Sequence, residues 1–172
     1  MTEQVKIIAE TISAAGGKIV GRTRLQKIFY MFEVAGYGSG FRFGYKHYGP
    51  YSEDLTSAVQ LSVLIGTVDE KQEASRSGHR FSVYSSNEGA LSTRREPKEA
   101  MLSIMQKATS IELELAATAV LLSRDGFEED PWKETARRKP EKAADGRLDK
   151  AKALLKEISA INTPNPIPSL SA

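Results

Sequence analysis

Apolar residues recur at helical spacing along most of the chain. Over residues 3–15 they fall on one face, with Thr2 in position to cap the helix and the Gly16-Gly17 pair in position to end it. A second apolar stripe begins after Thr23, another candidate cap, and stops at Gly36. The pattern therefore predicts two successive helices at the start of the chain.

An aromatic strand and a third helix are predicted next. Residues 41–46 alternate large aromatic side chains with polar or small ones, which is the period of a half-buried strand. Pro50 has no N–H to donate to a ladder, so we expect the strand to end at a Tyr48-Gly49-Pro50 turn. Ser52 can then cap a third helix, which Gly66 closes.

A β-hairpin is predicted after the third helix. Residues 67–69 and 79–84 have strand composition and flank the polar stretch 70–78, which indicates a hairpin with a long flexible tip. The order helix, helix, strand, helix and hairpin resembles a winged-helix arrangement that carries an extra aromatic strand.

The second half of the chain is predicted to be helical. Residues 87–96 have linker composition, and Pro97 suits the first position of a helix. Residues 110–123 are apolar on nearly every side, which favours the centre of the core over a partner interface. A short helix is predicted from Pro131, and a last amphipathic one over residues 147–161.

Together these elements predict a helix-rich α+β fold, with a winged-helix-like N-terminal part, a small antiparallel sheet and C-terminal helices packed against them. Residues 1–161 would form a single globular domain, divided into a winged-helix-like part (1–86) and a helical part (97–161). The alternating prolines of residues 162–172 exclude a helix or a central strand. We interpret that segment as a flexible tail or an extended peptide.

Composition narrows the function classes. The 172 residues include no Cys, which removes disulfides, thiolate nucleophiles and Cys-ligated zinc. The N-terminus does not resemble a signal peptide and no apolar run is long enough to cross a bilayer, so we expect a soluble cytoplasmic protein without membrane contact. Residues 1–50 carry seven Lys and Arg against three Glu, which makes this third of the chain the expected place for an anionic partner.

Catalytic and metal chemistry find little support in the sequence. His47, Ser52 and Asp54 are the residue types of a hydrolytic triad, but capping and helix-dipole roles explain Ser52 and Asp54 more simply. His47 and His79 lack the spacing of metal ligands. The glycine-rich residues 36–40 follow a helix and precede a strand, the reverse of a phosphate-binding loop. We therefore predict no enzymatic activity, no metal and no cofactor.

The basic residues around the start of the second helix are Lys18, Arg22, Arg24 and Lys27. They could contact phosphates beside the positive end of a helix dipole, or they could form an ordinary solvated face. Arg76, His79 and Arg80 would serve as the wing in the first interpretation. Against it, the third helix opens with Glu53 and Asp54, which would repel a phosphate backbone.

Five aromatic rings lie close together in the sequence: Phe41, Phe43, Tyr45, Tyr48 and Tyr51. Such rings can stack on bases or anchor a protein interface, because they offer a large area and lose little rotamer entropy. Alternatively, Tyr48 and Tyr51 clamp the Gly-Pro turn onto the core. Both roles can hold together.

Residues 21–30 (GRTRLQKIFY) and 48–52 (YGPYS) resemble the prokaryotic YwgA-like proteins, and residues 113–118 and 138–140 are similar to later blocks of that group. More distantly, Leu25-Gln26-Lys27 followed by Tyr48-Gly49-Pro50 is similar to the Panacea antitoxin domain. The resemblance implies a compact, largely helical, non-enzymatic module, and in the Panacea group such modules neutralise toxins by direct protein contact.

We therefore expect a cytoplasmic binding protein of the antitoxin or phage-defence accessory type, whose partner is a toxin or a defence effector. The residues expected to contact that partner are Arg22, Arg24, Lys27, Tyr45, Tyr48 and Tyr51. The alternative is a winged-helix DNA-binding transcriptional regulator that uses the basic helix start and the wing, so nucleic acid stays open as a partner.

Overall fold

The computed structural model describes residues 2–86 and 96–170. The helices in those residues are α1 (Glu3–Ala14), α2 (Arg22–Ala35), α3 (Glu53–Leu64), α4 (Pro97–Lys107), α5 (Ser110–Arg124), α6 (Pro131–Arg138), α7 (Pro140–Ala143) and α8 (Arg147–Ser159). The strands are β1 (Lys18–Val20), β2 (Gly44–Lys46), β3 (Gly49–Tyr51), β4 (Asp69–Ala74) and β5 (Arg80–Ser85). This helix-rich α+β architecture confirms the predicted fold class.

The N-terminal part has the winged-helix order α1, β1, α2, α3, β4, β5. Its antiparallel sheet runs β1-β5-β4, with Ile19 of β1 opposite Tyr84 of β5. The sequence interpretation missed β1, since a strand of three residues between two glycines gives almost no periodic signal. A second, two-stranded sheet of β2 and β3 is inserted between α2 and α3.

Local capping chemistry explains where the first helices begin and end. The Thr2 and Ser52 side chains accept hydrogen bonds from the backbone N–H of Val5 (3.3 Å) and Leu55 (3.1 Å), so both predicted caps are confirmed. Gly36 ends α2 in the left-handed conformation, as predicted. The predicted cap at Thr23 is wrong: α2 begins at Arg22, so Thr23 already lies in the first turn.

The predicted boundaries of the aromatic strand and of the second hairpin need correction. The aromatic strand begins at Gly44 and not at Phe41, and it does not end at a Tyr48-Gly49-Pro50 turn. The turn is His47-Tyr48, and Pro50 lies within β3, opposite Tyr45. A two-stranded ribbon accepts proline because one side of each strand has no ladder partner. Likewise β4 extends through the polar residues to Ala74, so the tip of the second hairpin is shorter than predicted.

Helix α5 occupies the centre of the core. Its residues from Leu113 to Leu122 are all buried, and it packs against α2, α6, α8 and β3. The core position predicted for this segment is therefore confirmed. Because α5 contacts α2 and β3 as well as the later helices, it joins the winged-helix part to the C-terminal part.

The C-terminal segment packs on the body of the protein. The backbone N–H of Asn165 donates to the Ala35 carbonyl (2.9 Å), the Trp132 indole donates to the Leu170 carbonyl (3.0 Å), and Ile167 is buried. These contacts hold Asn165, Ile167 and Leu170 against the body, while the flexible or extended character predicted for residues 162–172 stays a prediction. Of the predicted linker 87–96, only Glu96 lies in the described residues, where it caps α4.

Candidate binding cleft

The tyrosine hairpin, residues 44–51, projects two of its three tyrosines from the surface. Tyr48 lies in the turn and is 58% exposed, and Tyr45 on β2 is 37% exposed. Tyr51 is half-buried, and its hydroxyl lies 2.7 Å from the Thr56 hydroxyl on α3. Two rings are therefore open to a partner, while the third fastens the hairpin to α3.

Two lysines hold the backbone of this hairpin from below. The ammonium of Lys27, on α2, donates to the Pro50 carbonyl (2.9 Å), and that of Lys139, after α6, donates to the His47 carbonyl (2.8 Å). The side chain of Gln26 brackets the end of the hairpin by bonding both the N–H and the carbonyl of Ser52 (2.8 and 3.0 Å). The Gln26-Lys27 pair thus serves to position the turn.

Gly49 lets the hairpin approach α5 closely. Its φ is +84°, a region that side chains rarely adopt, and a Cβ there would lie 2.3 Å from the Thr118 hydroxyl. Both observations require glycine at this position. The turn is therefore held by side-chain bonds and by direct contact with the core helix.

A buried carboxylate lies beneath the hairpin. Glu114 of α5 is almost fully buried and pairs with Lys142 (2.7 Å) and Lys139 (3.2 Å). Lys27 also lies in the interior, at 1% exposure, and burial lowers its pKa to about 8. Glu114 acts to raise that pKa, and repulsion from Lys139 and Lys142 acts to lower it further.

Cations also lie over the faces of the three tyrosines. The distances to the ring centroids are 4.6 Å for Lys142 at Tyr48, 4.7 Å for Arg138 at Tyr45, and 4.8 Å for Lys46 at Tyr51. Such contacts restrict the rings and surround the hairpin with positive charge.

A cleft of about 610 Å³ opens between the tyrosine hairpin, the start of α2, strand β5 of the wing (the hairpin formed by β4 and β5) and the start of α5. Its lining includes four cations, Arg22, Lys27, Arg80 and Lys142, and one carboxylate, Glu114. Tyr48 and Tyr51 form part of its aromatic wall. The cleft therefore combines ring area with a surplus of positive charge.

The predicted basic face does not form one surface. Arg22 is exposed and lies on the cleft, but the Arg24 guanidinium turns towards the end of α4, where it donates to the Met105 carbonyl (2.7 Å). Lys27 is buried as described above. Of the three predicted contact cations, Arg22 alone stays open to a macromolecular partner, because Arg24 and Lys27 are used to hold carbonyl groups of the fold.

Sequence reasoning missed Glu114, Lys139 and Lys142. A signal for the first was present: a carboxylate in the middle of an otherwise apolar helix must be paired with a cation if that helix is buried. The identity of its partners depended on the placement of α6 and α7 beside α5, which no local pattern specifies.

Helix α3, the usual recognition helix of a winged fold, carries no Lys or Arg. Its two acids form ion pairs. Glu53 pairs with Lys46 of the tyrosine hairpin, and Asp54 pairs with Arg42, which precedes that hairpin. Its far end exposes apolar side chains instead, with Leu64 at 82% exposure. This face does not complement a phosphate backbone.

Two residues of the candidate triad, Ser52 and Asp54, make other hydrogen bonds. Ser52 is buried as the cap of α3, Asp54 bonds Arg42, and His47 lies exposed in the hairpin turn. Within residues 2–86 and 96–170, no group of three or more His, Asp or Glu side chains is placed to hold a metal ion.

The fold and the cleft define a helix-rich α+β protein with a winged-helix-like half and a cationic, aromatic cleft. Over 57 residues the chain is 33% identical to a Bacillus subtilis (strain 168) protein described as "Uncharacterized protein YwgA". That similarity spans 33% of this chain and 34% of the relative, so the chain matches about a third of that protein's length. No protein-family model and no solved structure matches the chain. The match agrees with the YwgA-like resemblance, whereas the Panacea similarity stays a prediction.

None of the helices in the described ranges combines the length and the apolar character required to cross a bilayer.

Proposed function

We propose that this protein is a non-enzymatic binding module of the antitoxin or phage-defence accessory type, which holds a protein partner by direct contact through the tyrosine hairpin. The observation that carries the proposal is Tyr48, which is more than half exposed on a turn whose neighbouring carbonyls are fastened by Lys27 and Lys139. An exposed ring on an ordered backbone suits recognition, because little conformational entropy is lost when it enters a partner pocket.

The charges around the hairpin indicate an acidic partner surface. Arg22 and Arg80 are exposed beside the tyrosines, and Lys142 and Arg138 are partly exposed. Such cations steer an acidic protein into contact and discriminate against a basic one. The antitoxin class comes from the resemblance of the Leu-Gln-Lys helix and the Tyr-Gly-Pro turn.

Quantitative pull-down from the native host tests the proposal with three baits: wild type, Tyr48→Ala and Leu64→Ala. Leu64 is the matched control, since it exposes a large apolar side chain on α3, away from the hairpin. We expect a specific protein to be retained by wild type and Leu64→Ala and lost with Tyr48→Ala. With that protein purified, the Tyr48→Ala change is expected to weaken affinity by about 2 kcal/mol, a thirtyfold effect.

The antitoxin assignment has its own readout. Expression of the captured partner alone is expected to arrest growth, and co-expression of wild type, but not of Tyr48→Ala, is expected to restore it. A partner that binds all three baits equally would contradict docking through the hairpin. A partner that binds through Tyr48 without affecting growth would contradict only the antitoxin class.

Duplex DNA is the partner in the competing interpretation, and the absence of basic residues from α3 disfavours it. The informative substitutions are Arg22→Ala and Arg80→Ala, since Arg24 and Lys27 are engaged within the fold. Duplex binding that falls steeply with salt and is lost in both variants would favour a DNA-binding regulator.

A further inference from the structure

The floor of the cleft holds more positive than negative charge. Lys27 and Lys142 line the cleft, and Lys139 pairs with Glu114 without being part of the lining; in the described residues Glu114 is the one carboxylate within 4.0 Å of any of these three ammonium groups. Within the described ranges Lys27 has no carboxylate at that distance, and its ammonium makes one hydrogen bond, to the Pro50 carbonyl. Three buried or partly buried ammonium groups therefore share one counter-charge.

Such an imbalance is costly in a folded interior and favours binding of an anion. A buried cation without a counter-ion loses its hydration without recovering the energy from a partner. An anion that enters the cleft would meet Lys27 and Lys142 at the floor and the exposed Arg22 and Arg80 at the rim. Glu70 lies 3.9 Å from Arg22 and neutralises that cation only weakly.

We propose that the cleft binds a small organic phosphate that carries a planar ring, that is, a nucleotide. A ligand with one carboxylate would use only one of these cations. Several cations together suit the multiple charges and oxygen acceptors of a phosphate chain. Exposed ring area at Tyr48, in the wall of the same cleft, suits stacking with a base. The volume of about 610 Å³ falls in the range of sites for ligands of this size.

Titration calorimetry of the full chain, at low salt and with EDTA present, tests this site with ATP, inorganic triphosphate and adenosine. We expect ATP to bind most tightly, triphosphate about tenfold more weakly because stacking is lost, and adenosine far more weakly still. The Arg80→Ala substitution is expected to weaken ATP binding by about tenfold or more through loss of charge-assisted hydrogen bonds. Arg76→Ala removes the same charge at the exposed wing tip, outside the cleft lining, and should leave the affinity unchanged.

The outcomes separate the components of the inference. Equal affinities for ATP and triphosphate would overturn stacking and hence the nucleotide assignment. Equal losses in Arg76→Ala and Arg80→Ala, or no binding of either phosphate compound, would overturn the site itself. Calorimetry measures nucleotide binding to this chain alone, with no protein partner present, so failure of nucleotide binding is distinguishable from failure of the proposed protein contact. Both arginines are exposed, so loss of the fold does not complicate the comparison.

Discussion

The two β-hairpins of this protein are stabilised in opposite ways. The tyrosine hairpin has strands of only three residues, yet Lys27, Lys139 and the contact of Gly49 with Thr118 fix it from three other segments of the chain. The wing, formed by β4 and β5, has strands of six residues and pairs with β1, while almost every residue of β4 faces solvent. The short hairpin depends on outside support, and the long one on its own ladder.

An isolated two-stranded ribbon is marginally stable in water, so the position of the tyrosine hairpin must come from the side chains beneath it. Substitutions far away in sequence but under the hairpin should therefore affect stability more than substitutions within the wing. The same difference suits their proposed roles, since an ordered recognition turn needs fixed carbonyls and an exposed wing does not.

The largest effect is expected from Glu114→Gln. This change removes the counter-charge of Lys139 and Lys142 and leaves both ammonium groups in a largely buried site. Breaking a buried ion pair by removing one partner costs about 3–5 kcal/mol. Urea unfolding followed by circular dichroism should detect a loss of that order in the free energy of unfolding.

Glu53→Gln is the matched control for Glu114→Gln. It also removes a carboxylate paired with a lysine, Lys46 of the tyrosine hairpin, but both side chains are exposed. Solvent screens that pair, so we expect little change in stability. Similar losses in the two variants would contradict the view that the buried support determines the stability of this region.

The next largest effect on the free energy of unfolding is expected from substituting a glycine in the tyrosine hairpin, and a glycine in the wing serves as its comparison. Gly49 and Gly78 have nearly the same positive φ, +84° and +86°, but an added Cβ at Gly49 would collide with Thr118 and one at Gly78 would meet nothing within 4 Å. Gly78→Ala should cost about 1–2 kcal/mol for the backbone conformation alone. Gly49→Ala should cost roughly 2–4 kcal/mol, since steric overlap is added.

Thermal and urea unfolding of the two alanine variants measures this difference directly. Adding Thr118→Ser to Gly49→Ala should not relieve the steric overlap, because serine retains the hydroxyl that an added Cβ at residue 49 would meet. Equal losses for Gly49→Ala and Gly78→Ala would mean that the close approach of the hairpin to α5 contributes nothing.

Much of the fold was predictable because its signals are local. The hydroxyls of Thr2 and Ser52 and the left-handed Gly36 mark helix ends within a few residues of themselves. Apart from the cap at Thr23, the errors concern strands: β1 is too short to show a period, and Pro50 indicated the end of a strand although it lies inside β3. Strand pairing is a long-range property, and β1 pairs with residues more than 60 positions away.

The candidate cleft was only partly predictable. The exposed Tyr45 and Tyr48 came from composition, and the structure leaves both accessible. The roles of Arg24 and Lys27 did not follow from the sequence, because a basic residue near a helix start has the same pattern whether it faces solvent or a carbonyl. The destination of each side chain depends on elements that pack against α2 from later in the chain.

A smaller effect is expected in the pH dependence of stability. Lys27 has a folded pKa of about 8, below its ordinary value of 10.5. Below pH 8 both states are protonated and the buried charge lowers stability; between pH 8 and 10.5 the unfolded state binds more protons, so stability rises with pH. From pH 8 to 10, wild type should gain about 2 kcal/mol relative to Lys27→Met.

Urea unfolding of wild type and Lys27→Met at intervals across that pH range gives the comparison. Taking the difference between the two proteins cancels the titration of groups that they share, including Tyr30, whose pKa is raised by burial. Parallel curves would contradict this prediction. They would mean that Lys27 titrates as an ordinary surface lysine despite its burial beneath the tyrosine hairpin.

Only a small stability effect is expected from Tyr48→Ala, although this substitution has the largest expected effect on partner binding. The ring is largely exposed, and the Lys142 ammonium lies 4.6 Å from its centroid. An exposed cation–π contact contributes about 0.5–1 kcal/mol, so the melting temperature should fall by only a few degrees. A loss comparable to that of Gly49→Ala would assign Tyr48 to clamping the turn, whereas a near-neutral change leaves its ring free for recognition.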